Sequence, residues 1–169
     1  QYIDPAQRLV LEVGYSTLYT SHLRKSSMNG SRVGVALAYF AGFEFSQHAK
    51  EFLPSSFYIG PGIQPAGACG RFSFILGLHG PSFTVETSCS SGLVAYHFAV
   101  QSLTLKECCS NIVAGVQLQL QPDQGLALAM GGLTSSSGRP HVFDRKADGY
   151  VRGEATCAAH LTCRLPDEV

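Results

Sequence analysis

The residues of this sequence best suited to covalent chemistry lie in the run 83–96, which contains Cys89. Alternating apolar and polar residues end in small hydroxyl side chains, and a long apolar segment follows the cysteine. This order predicts a strand, a tight turn and a helix that begins at Cys89 and is capped by Thr87 or Ser88. The dipole and free N–H groups at a helix N-terminus favour a thiolate. Cys89 is therefore the candidate nucleophile, and a buried, inert thiol is the alternative.

Three neighbouring side chains and one backbone group also bear on the chemistry. Ser90 and Ser91 lack the G-x-S-x-G context of a serine nucleophile, so we expect their hydroxyls to satisfy backbone groups of the first helical turn. His97 follows two turns later on the same helix and cannot easily reach the thiol, which favours a core or interface position. The backbone N–H of Cys89 could itself donate to an oxyanion.

Length and composition describe one domain with a substantial core. The chain has 169 residues, of which 45% are hydrophobic and 14% are charged. The formal net charge is +0, which gives no indication of a nucleic-acid groove or a polybasic membrane patch. No apolar run reaches membrane-spanning length and no signal segment is recognisable, so a cytoplasmic location, or another intracellular one, is expected.

The cysteines do not form a metal-binding or disulfide pattern. They contain no C-x-x-C pair and no histidine at a matching spacing, so no metal site is predicted. Without a secretory signal, most of them are expected to be buried thiols that act as small hydrophobic side chains. The six are Cys69, Cys89, Cys108, Cys109, Cys157 and Cys163.

The elements that must position Cys89 follow from hydrophobic periodicity and from helix signals. Asp4 is a predicted N-cap, Pro5 opens the first turn and Gln7 occupies the capping-box position. The core-facing stripe of this helix is predicted to be Ala6, Leu9, Val10 and Val13. Further helices are predicted from Pro65 onward, over 89–105 and over 122–133, with a helical or irregular segment over 40–62.

Four strands are predicted between these helices, over 33–38, 82–87, 112–118 and 155–165. Residues 21–31 and 134–140 are predicted loops. The helix after Cys89 is apolar on most faces and is expected in the middle of the domain. Buried strands that alternate with helices predict an α/β layered fold with a largely parallel sheet.

Four stretches, in this order, resemble the motifs of β-ketoacyl synthase (ketosynthase) domains of polyketide and fatty acid synthases. Residues 3–9 resemble DPQQR-L, and residues 69–73 with 78–82 resemble AGR-S and L-GPS. Residues 85–93 resemble VDTACSSSL, the motif of the nucleophile, and residues 138–154 resemble GR-FD--ADGYVRGEG. The resemblance extends over nearly all of residues 1–169 and is to the N-terminal part of the domain, without its first strand and its C-terminal half.

The resemblance implies a thiolase-like α/β fold, normally two similar halves stacked around paired central helices. It implies an acyltransferase in which Cys89 receives an acyl group from the phosphopantetheine thioester of an acyl carrier protein. A malonyl-type extender is then decarboxylated and condensed onto that group, with no other bound cofactor. Residues 82–87 match the strand that pairs at the homodimer interface in this family.

Departures from the family pattern limit what these residues imply. The family's two histidines and lysine lie in HGTGT-like and NxGH-like contexts, and neither motif occurs in this sequence. None of the six histidines is therefore assigned a catalytic role, and the chain alone is expected to lack condensation activity. The alternative is a non-catalytic truncated or pseudo-enzyme half that serves as a dimerisation or scaffold module.

Smaller departures lie in the motifs themselves, at Glu86, Ser88, Gly92 and Ala155. A glycine in the first turns of a helix costs roughly 1 kcal/mol relative to alanine. Either the backbone packs closely at Gly92 or the site is loosened there. Residues 148–154 are expected to form a turn that shapes the pocket floor rather than a metal or acid–base site. For residues 126–133, an acyl tunnel and ordinary core packing both remain open.

Overall fold

The computed structural model describes residues 2–40, 43–52 and 54–163. In these residues one four-stranded sheet carries helices on both faces, in the order β2-β1-β3-β4. The first three of these strands are parallel and β4 is antiparallel to β3. The predicted α/β fold with a largely parallel sheet is confirmed, with one antiparallel edge in addition. The strands are β1 (Val33–Tyr39), β2 (Ser82–Val85), β3 (Ser110–Gln117) and β4 (Ala155–Thr162).

Seven helices connect or cover these strands in the described residues. Most predicted helices are present, although their ends differ by a few residues. The predicted loop 21–31 contains a short helix, and the predicted strand 82–87 ends two residues early. Of the predicted strand 155–165, residues 164 and 165 lie outside the described part. The helices are α1 (Pro5–Thr20), α2 (Lys25–Met28), α3 (Phe43–Phe52), α4 (Ile59–Ile63), α5 (Pro65–Leu76), α6 (Ser91–Thr104) and α7 (Pro122–Met130).

Helix α1 begins as the sequence predicts, at a buried cap. Oδ1 of Asp4 accepts a hydrogen bond from the N–H of Ala6 at 2.8 Å, and Oδ2 accepts one from the hydroxyl of Tyr39 at 2.6 Å. Gln7 does not complete a capping box; its side-chain amide donates to the carbonyl of Gln64. Burial, followed by the hydrogen bond to Asp4, holds the pKa of Tyr39 far above its ordinary value.

The buried stripe of α1 differs in part from the prediction. Ala6 and Val10 are buried, whereas Leu9 and Val13 are only half-buried. The stripe continues instead through Gly14 and Leu18. Gly14 is needed because Phe72 of α5 lies against it: a Cβ at this position would come 2.4 Å from the Phe72 ring.

The sheet separates two hydrophobic clusters, and β1 contributes to both. On one face Val35, Leu37 and Tyr39 pack with residues of α1 and α5. On the other face Ala36 and Ala38 pack with Ala95 and Ala99 of α6. Because both faces are covered, all seven residues of β1 are buried. Small alanines on the second face allow α6 to lie close to the sheet.

The sequence predicts that α6 lies in the middle of the domain, but the face of α6 that points away from the sheet is exposed. In the described residues only the sheet-facing stripe is buried, and it includes Ser91, Ala95 and Ala99. Leu93 is 75% exposed on the opposite side. The apolar composition of α6 therefore reflects two apolar faces, of which one is covered in this chain.

The cysteines are more exposed than predicted. Cys69 and Cys108 are buried, but Cys89, Cys109, Cys157 and Cys163 are exposed, and all six thiols are free. The prediction that most are buried is wrong because four of them lie in loops, at sheet ends or on the open face of β4. In the described residues no group of three or more potential ligands is arranged to hold a metal ion. No helix there is long and apolar enough to span a membrane.

Candidate functional site

Cys89 lies in the short connection between β2 and α6. Helix α6 begins at Ser91 with Ser90 as its N-cap, so the thiol precedes the helix and the predicted start at Cys89 is two residues early. The residue before the thiol, Ser88, has a left-handed backbone with φ of 57°. Residues other than glycine seldom adopt this conformation, and it marks a sharp turn that presents the next side chain. The Cys89 side chain is exposed there.

Hydroxyl groups hold this turn in shape, as the sequence predicts, although the bonds differ from a simple cap. Ser91 Oγ accepts from the N–H of Thr87 at 2.7 Å and donates to the carbonyl of Ser88 at 2.7 Å. Ser90 Oγ donates to the carbonyl of Thr87 at 2.7 Å. Thr87 and Ser88 are therefore not the caps of α6. They form the turn that Ser90 and Ser91 close.

The thiol opens into a cleft of about 480 Å³ at the carboxyl edge of the parallel strands. Residues from the end of β1, the end of β3, the start of β4, the start of α6 and one face of α7 meet there. This is the edge at which open parallel sheets generally bind ligands. The described lining consists of Ala38, Phe40, Ser88, Cys89, Ser91, Gly92, Gly115, Val116, Gln117, Gln124, Leu128, Tyr150, Val151, Arg152, Gly153, Ala155 and Cys157.

The segment 148–154 lines one wall of this cleft through residues 150–153, as predicted, but it contains no turn, and Tyr150 instead forms an isolated β-bridge with Thr134. Asp148 Oδ2 accepts from the N–H and the hydroxyl of Ser136, which ties the segment to the preceding loop. Hydrogen bonds from Ser135 and then Ser136 lower the pKa of Asp148. Glu154 Oε1 accepts from the N–H of Gln119 at 2.7 Å. Both carboxyl groups have structural partners, and neither lines the cleft.

Other predicted residues lie away from the thiol. His97 does not line the cleft, and it is exposed on the outer face of α6, where its ring contacts Phe98 at 5.8 Å. Of the two predicted positions, the core is therefore wrong, and a place at an interface stays a prediction. Within 126–133 Leu128 lines the cleft, while Leu126, Met130 and Leu133 are exposed. Core packing is not the role of this segment in the described chain.

Two cleft residues were not singled out from the sequence. Cys157 of β4 lines the same cleft as Cys89, and it is paired with Gly115 in the sheet. Arg152 also lines the cleft and donates from Nη2 to Oε1 of Gln124 at 3.0 Å. Alternation in β4 could have placed Cys157 on the face of Ala159, but only the pairing of β4 with β3 brings that face to the thiol.

The surroundings of Gly92 decide between close backbone packing and a loosened site, the two explanations that the sequence leaves open for this glycine. A Cβ at this position would meet no described atom within 4 Å, so close backbone packing does not explain the glycine.

We expect Gly92→Ala to raise the free energy of unfolding by about 1 kcal/mol, the helix-propensity difference. Urea unfolding measures the change, and Gly14→Ala is the matched control that must destabilise because its Cβ would meet the Phe72 ring. A loss of stability in Gly92→Ala would contradict this assignment.

Comparison with known proteins gives one consistent result. The family described as β-ketoacyl synthase, N-terminal domain, matches residues 1–167. The chain is 37% identical over 167 residues to a phenolphthiocerol/phthiocerol polyketide synthase from Mycobacterium tuberculosis, covering 99% of this chain and 9% of that protein. It is 39% identical over 159 residues to a highly reducing polyketide synthase of Cordyceps militaris, covering 94% of this chain and 6% of that protein.

Solved structures agree with the sequence comparison. The ketosynthase from module 6 of the bacillaene synthase of Bacillus subtilis 168 superimposes with a TM-score of 0.84 at 31% identity. This match covers 98% of the present chain and 28% of the ketosynthase. The chain thus spans less than a third of a ketosynthase chain and less than a tenth of these two polyketide synthases.

Proposed function

The chain belongs to the β-ketoacyl synthase family as an N-terminal domain, and on this premise we propose that Cys89 carries an acyl group as a thioester. The acyl group is transferred from the phosphopantetheine thioester of an acyl carrier protein to Sγ, and the carrier thiol leaves. A malonyl-type extender then loses CO₂, and its carbanion attacks the acyl carbonyl carbon to form a β-ketoacyl thioester. Sγ is released as a thiolate in that step.

The family, the polyketide synthase ketosynthase relationship and the thiolase-like α/β fold class predicted from the motifs are confirmed by the comparisons. The observation that carries the proposed chemistry is the exposure of Cys89 at a cleft large enough for an acyl chain. The turn at Ser88 presents the thiol just ahead of the N-terminus of α6. An exposed thiol beside such a cleft is accessible to a thioester, as a nucleophilic cysteine must be, whereas a structural cysteine is usually buried.

A homodimer is part of the same proposal. Strand β2 is at the edge of the described sheet, where its outer backbone groups have no strand partner in that sheet. An unpaired edge is a template for pairing with a second chain. Two copies joined through β2 would place the two Cys89 connections close to the interface, because each connection follows β2 directly.

The test of the proposed function is the site at which an acyl thioester modifies the protein. We expect butyryl-N-acetylcysteamine to add one butyryl group, located on Cys89 by peptide mass spectrometry and lost in Cys89→Ala. Cys109→Ala is the matched control, because Cys109 is exposed but lies at the opposite end of α6. Equal labelling of all six cysteines would instead favour the non-catalytic scaffold module.

For residues 1–169 alone we expect acylation of Cys89 but no condensation. The family's histidine motifs do not occur in residues 1–169, so these residues alone are expected to accept an acyl group without extending it. Incubation of the butyryl-labelled chain with malonyl-N-acetylcysteamine measures this step. Formation of a β-ketohexanoyl product by the isolated chain would show that the missing motifs are not required.

A further inference from the structure

Arg152 is the one charged residue in the described lining of the cleft that contains Cys89. The rest of that lining is apolar or consists of uncharged amide, hydroxyl and thiol groups. The residue is half-buried, so its charge is less well solvated than that of a surface arginine. A positive charge in such a cleft attracts anionic ligands more strongly than one in open solvent.

The neighbours of the Arg152 guanidinium orient it without neutralising it. Nη2 donates to Oε1 of Gln124 at 3.0 Å, and this amide acceptor carries no charge. Nη1 lies against α7 at Gly125, where a Cβ would approach it to 3.0 Å. No aspartate or glutamate among the described side chains forms an ion pair with Arg152. Glu154, two residues along the chain, uses Oε1 to accept the N–H of Gln119.

A guanidinium has five N–H donors in a planar fork that matches carboxylate and phosphate groups. Gln124 accepts from one of these donors, and no other described residue accepts a hydrogen bond from this guanidinium. The cleft therefore combines a thiol that can be acylated with a fixed cation. This pairing suits a thioester that carries a negative charge elsewhere in the molecule.

We propose that Arg152 binds an anionic group of the thioester substrate, a carboxylate of the extender or the phosphate of the pantetheine arm, within the cleft of Cys89. The inference rests on the proposed function, since it assumes that thioesters enter this cleft. Arg152 is then a positioning residue that selects charged substrates, and Gln124 fixes the orientation of its guanidinium.

The experiment compares matched ligands that differ in charge. Each is tested for protection of Cys89 against alkylation by iodoacetamide, followed by mass spectrometry at low ionic strength. One pair is malonyl- and acetoacetyl-N-acetylcysteamine, in which a methyl ketone replaces the carboxylate. The other pair is S-methylphosphopantetheine and S-methylpantetheine, whose blocked sulfur does not react with iodoacetamide. The first pair tests the carboxylate and the second tests the phosphate.

In the wild-type chain we expect the anionic member of one pair to protect at about tenfold lower concentration than its neutral partner, as a charge-assisted hydrogen bond provides. The ratio of the protecting concentrations, neutral ligand over anionic ligand, is expected to fall to about one in Arg152→Gln. In Arg152→Lys, which keeps the charge without the planar fork, we expect an intermediate ratio. The control Arg139→Gln, outside the cleft, is expected to keep the wild-type ratio.

Equal protection by both members of both pairs in the wild-type chain would overturn the role of Arg152, as would an unchanged ratio in Arg152→Gln. Circular dichroism of Arg152→Gln shows whether a lost ratio reflects lost folding. The proposed function fails differently, through absence of a butyryl adduct on Cys89. A chain that is butyrylated on Cys89 but shows no charge preference would contradict only the assignment of Arg152.

Discussion

Replacing Asp4 with alanine is expected to lower the free energy of unfolding by about 3 kcal/mol. The substitution removes the N-cap of α1, which is worth about 1 kcal/mol. It also leaves the buried hydroxyl of Tyr39 without its acceptor, which costs about 1–3 kcal/mol. Asp4 and Tyr39 are 1% and 0% exposed, so water cannot replace the lost bonds. Urea unfolding at neutral pH measures the change.

Asp123→Ala is the matched control, because Asp123 is also an acidic residue at a helix start but is exposed in the first turn of α7. Its effect should stay within about 0.5 kcal/mol. The partner variant Tyr39→Phe completes a double-mutant cycle, in which a coupling energy of about 1–2 kcal/mol is expected. Additive effects of the two substitutions would contradict a direct hydrogen bond between these side chains.

The same pair predicts how stability depends on alkaline pH. Because the pKa of Tyr39 is raised in the folded chain, its contribution is complete below the unfolded value of about 10. Above that pH the unfolded chain releases the tyrosine proton and the folded chain retains it, so stability falls as pH rises. Unfolding midpoints measured from about pH 9 to 11, around that unfolded value, should fall less steeply in Tyr39→Phe than in the wild-type chain.

Replacing Phe72 with alanine is expected to cost about 3–5 kcal/mol, the range for a buried aromatic side chain. Phe72 is 0% exposed in the cluster between α1, α5 and the sheet. Gly14 of α1 packs directly against the ring and has no side chain that could fill the space left by the substitution. The loss should appear in the unfolding midpoint rather than in the slope of the transition.

Phe74→Ala provides the control on the same helix, two residues away and 86% exposed. It should change the free energy of unfolding by less than about 0.5 kcal/mol. If both phenylalanines were equally costly to replace, the separation of α5 into a core face and a solvent face would be incorrect.

Local signals in the sequence were sufficient for much of the fold. The seven buried residues of β1 form a continuous apolar run, and the start of α1 follows from the order Asp4, Pro5, Ala6. Cys89 was recognisable because a strand, small hydroxyl residues and a helix occur in succession around it. In each case residues adjacent in sequence supply the physical signal.

Features that depend on distant residues could not be read in this way. The left-handed backbone of Ser88 and the closing bonds of Ser91 depend on the tertiary position of the turn. The exposure of Cys157 and its place in the cleft depend on the antiparallel pairing of β4 with β3. Hydrophobicity likewise indicates that α6 has two apolar faces, but not which of them this chain covers.

The exposed face of α6 bears on the tendency of the isolated chain to self-associate in solution. Leu93, Tyr96 and Val100 face solvent along one side of the helix, with His97 between them. An apolar stripe of this kind lowers the barrier to self-association and attracts hydrophobic dyes and detergents. We therefore expect self-association to increase with protein and salt concentration, which light scattering measures alongside each stability or labelling experiment.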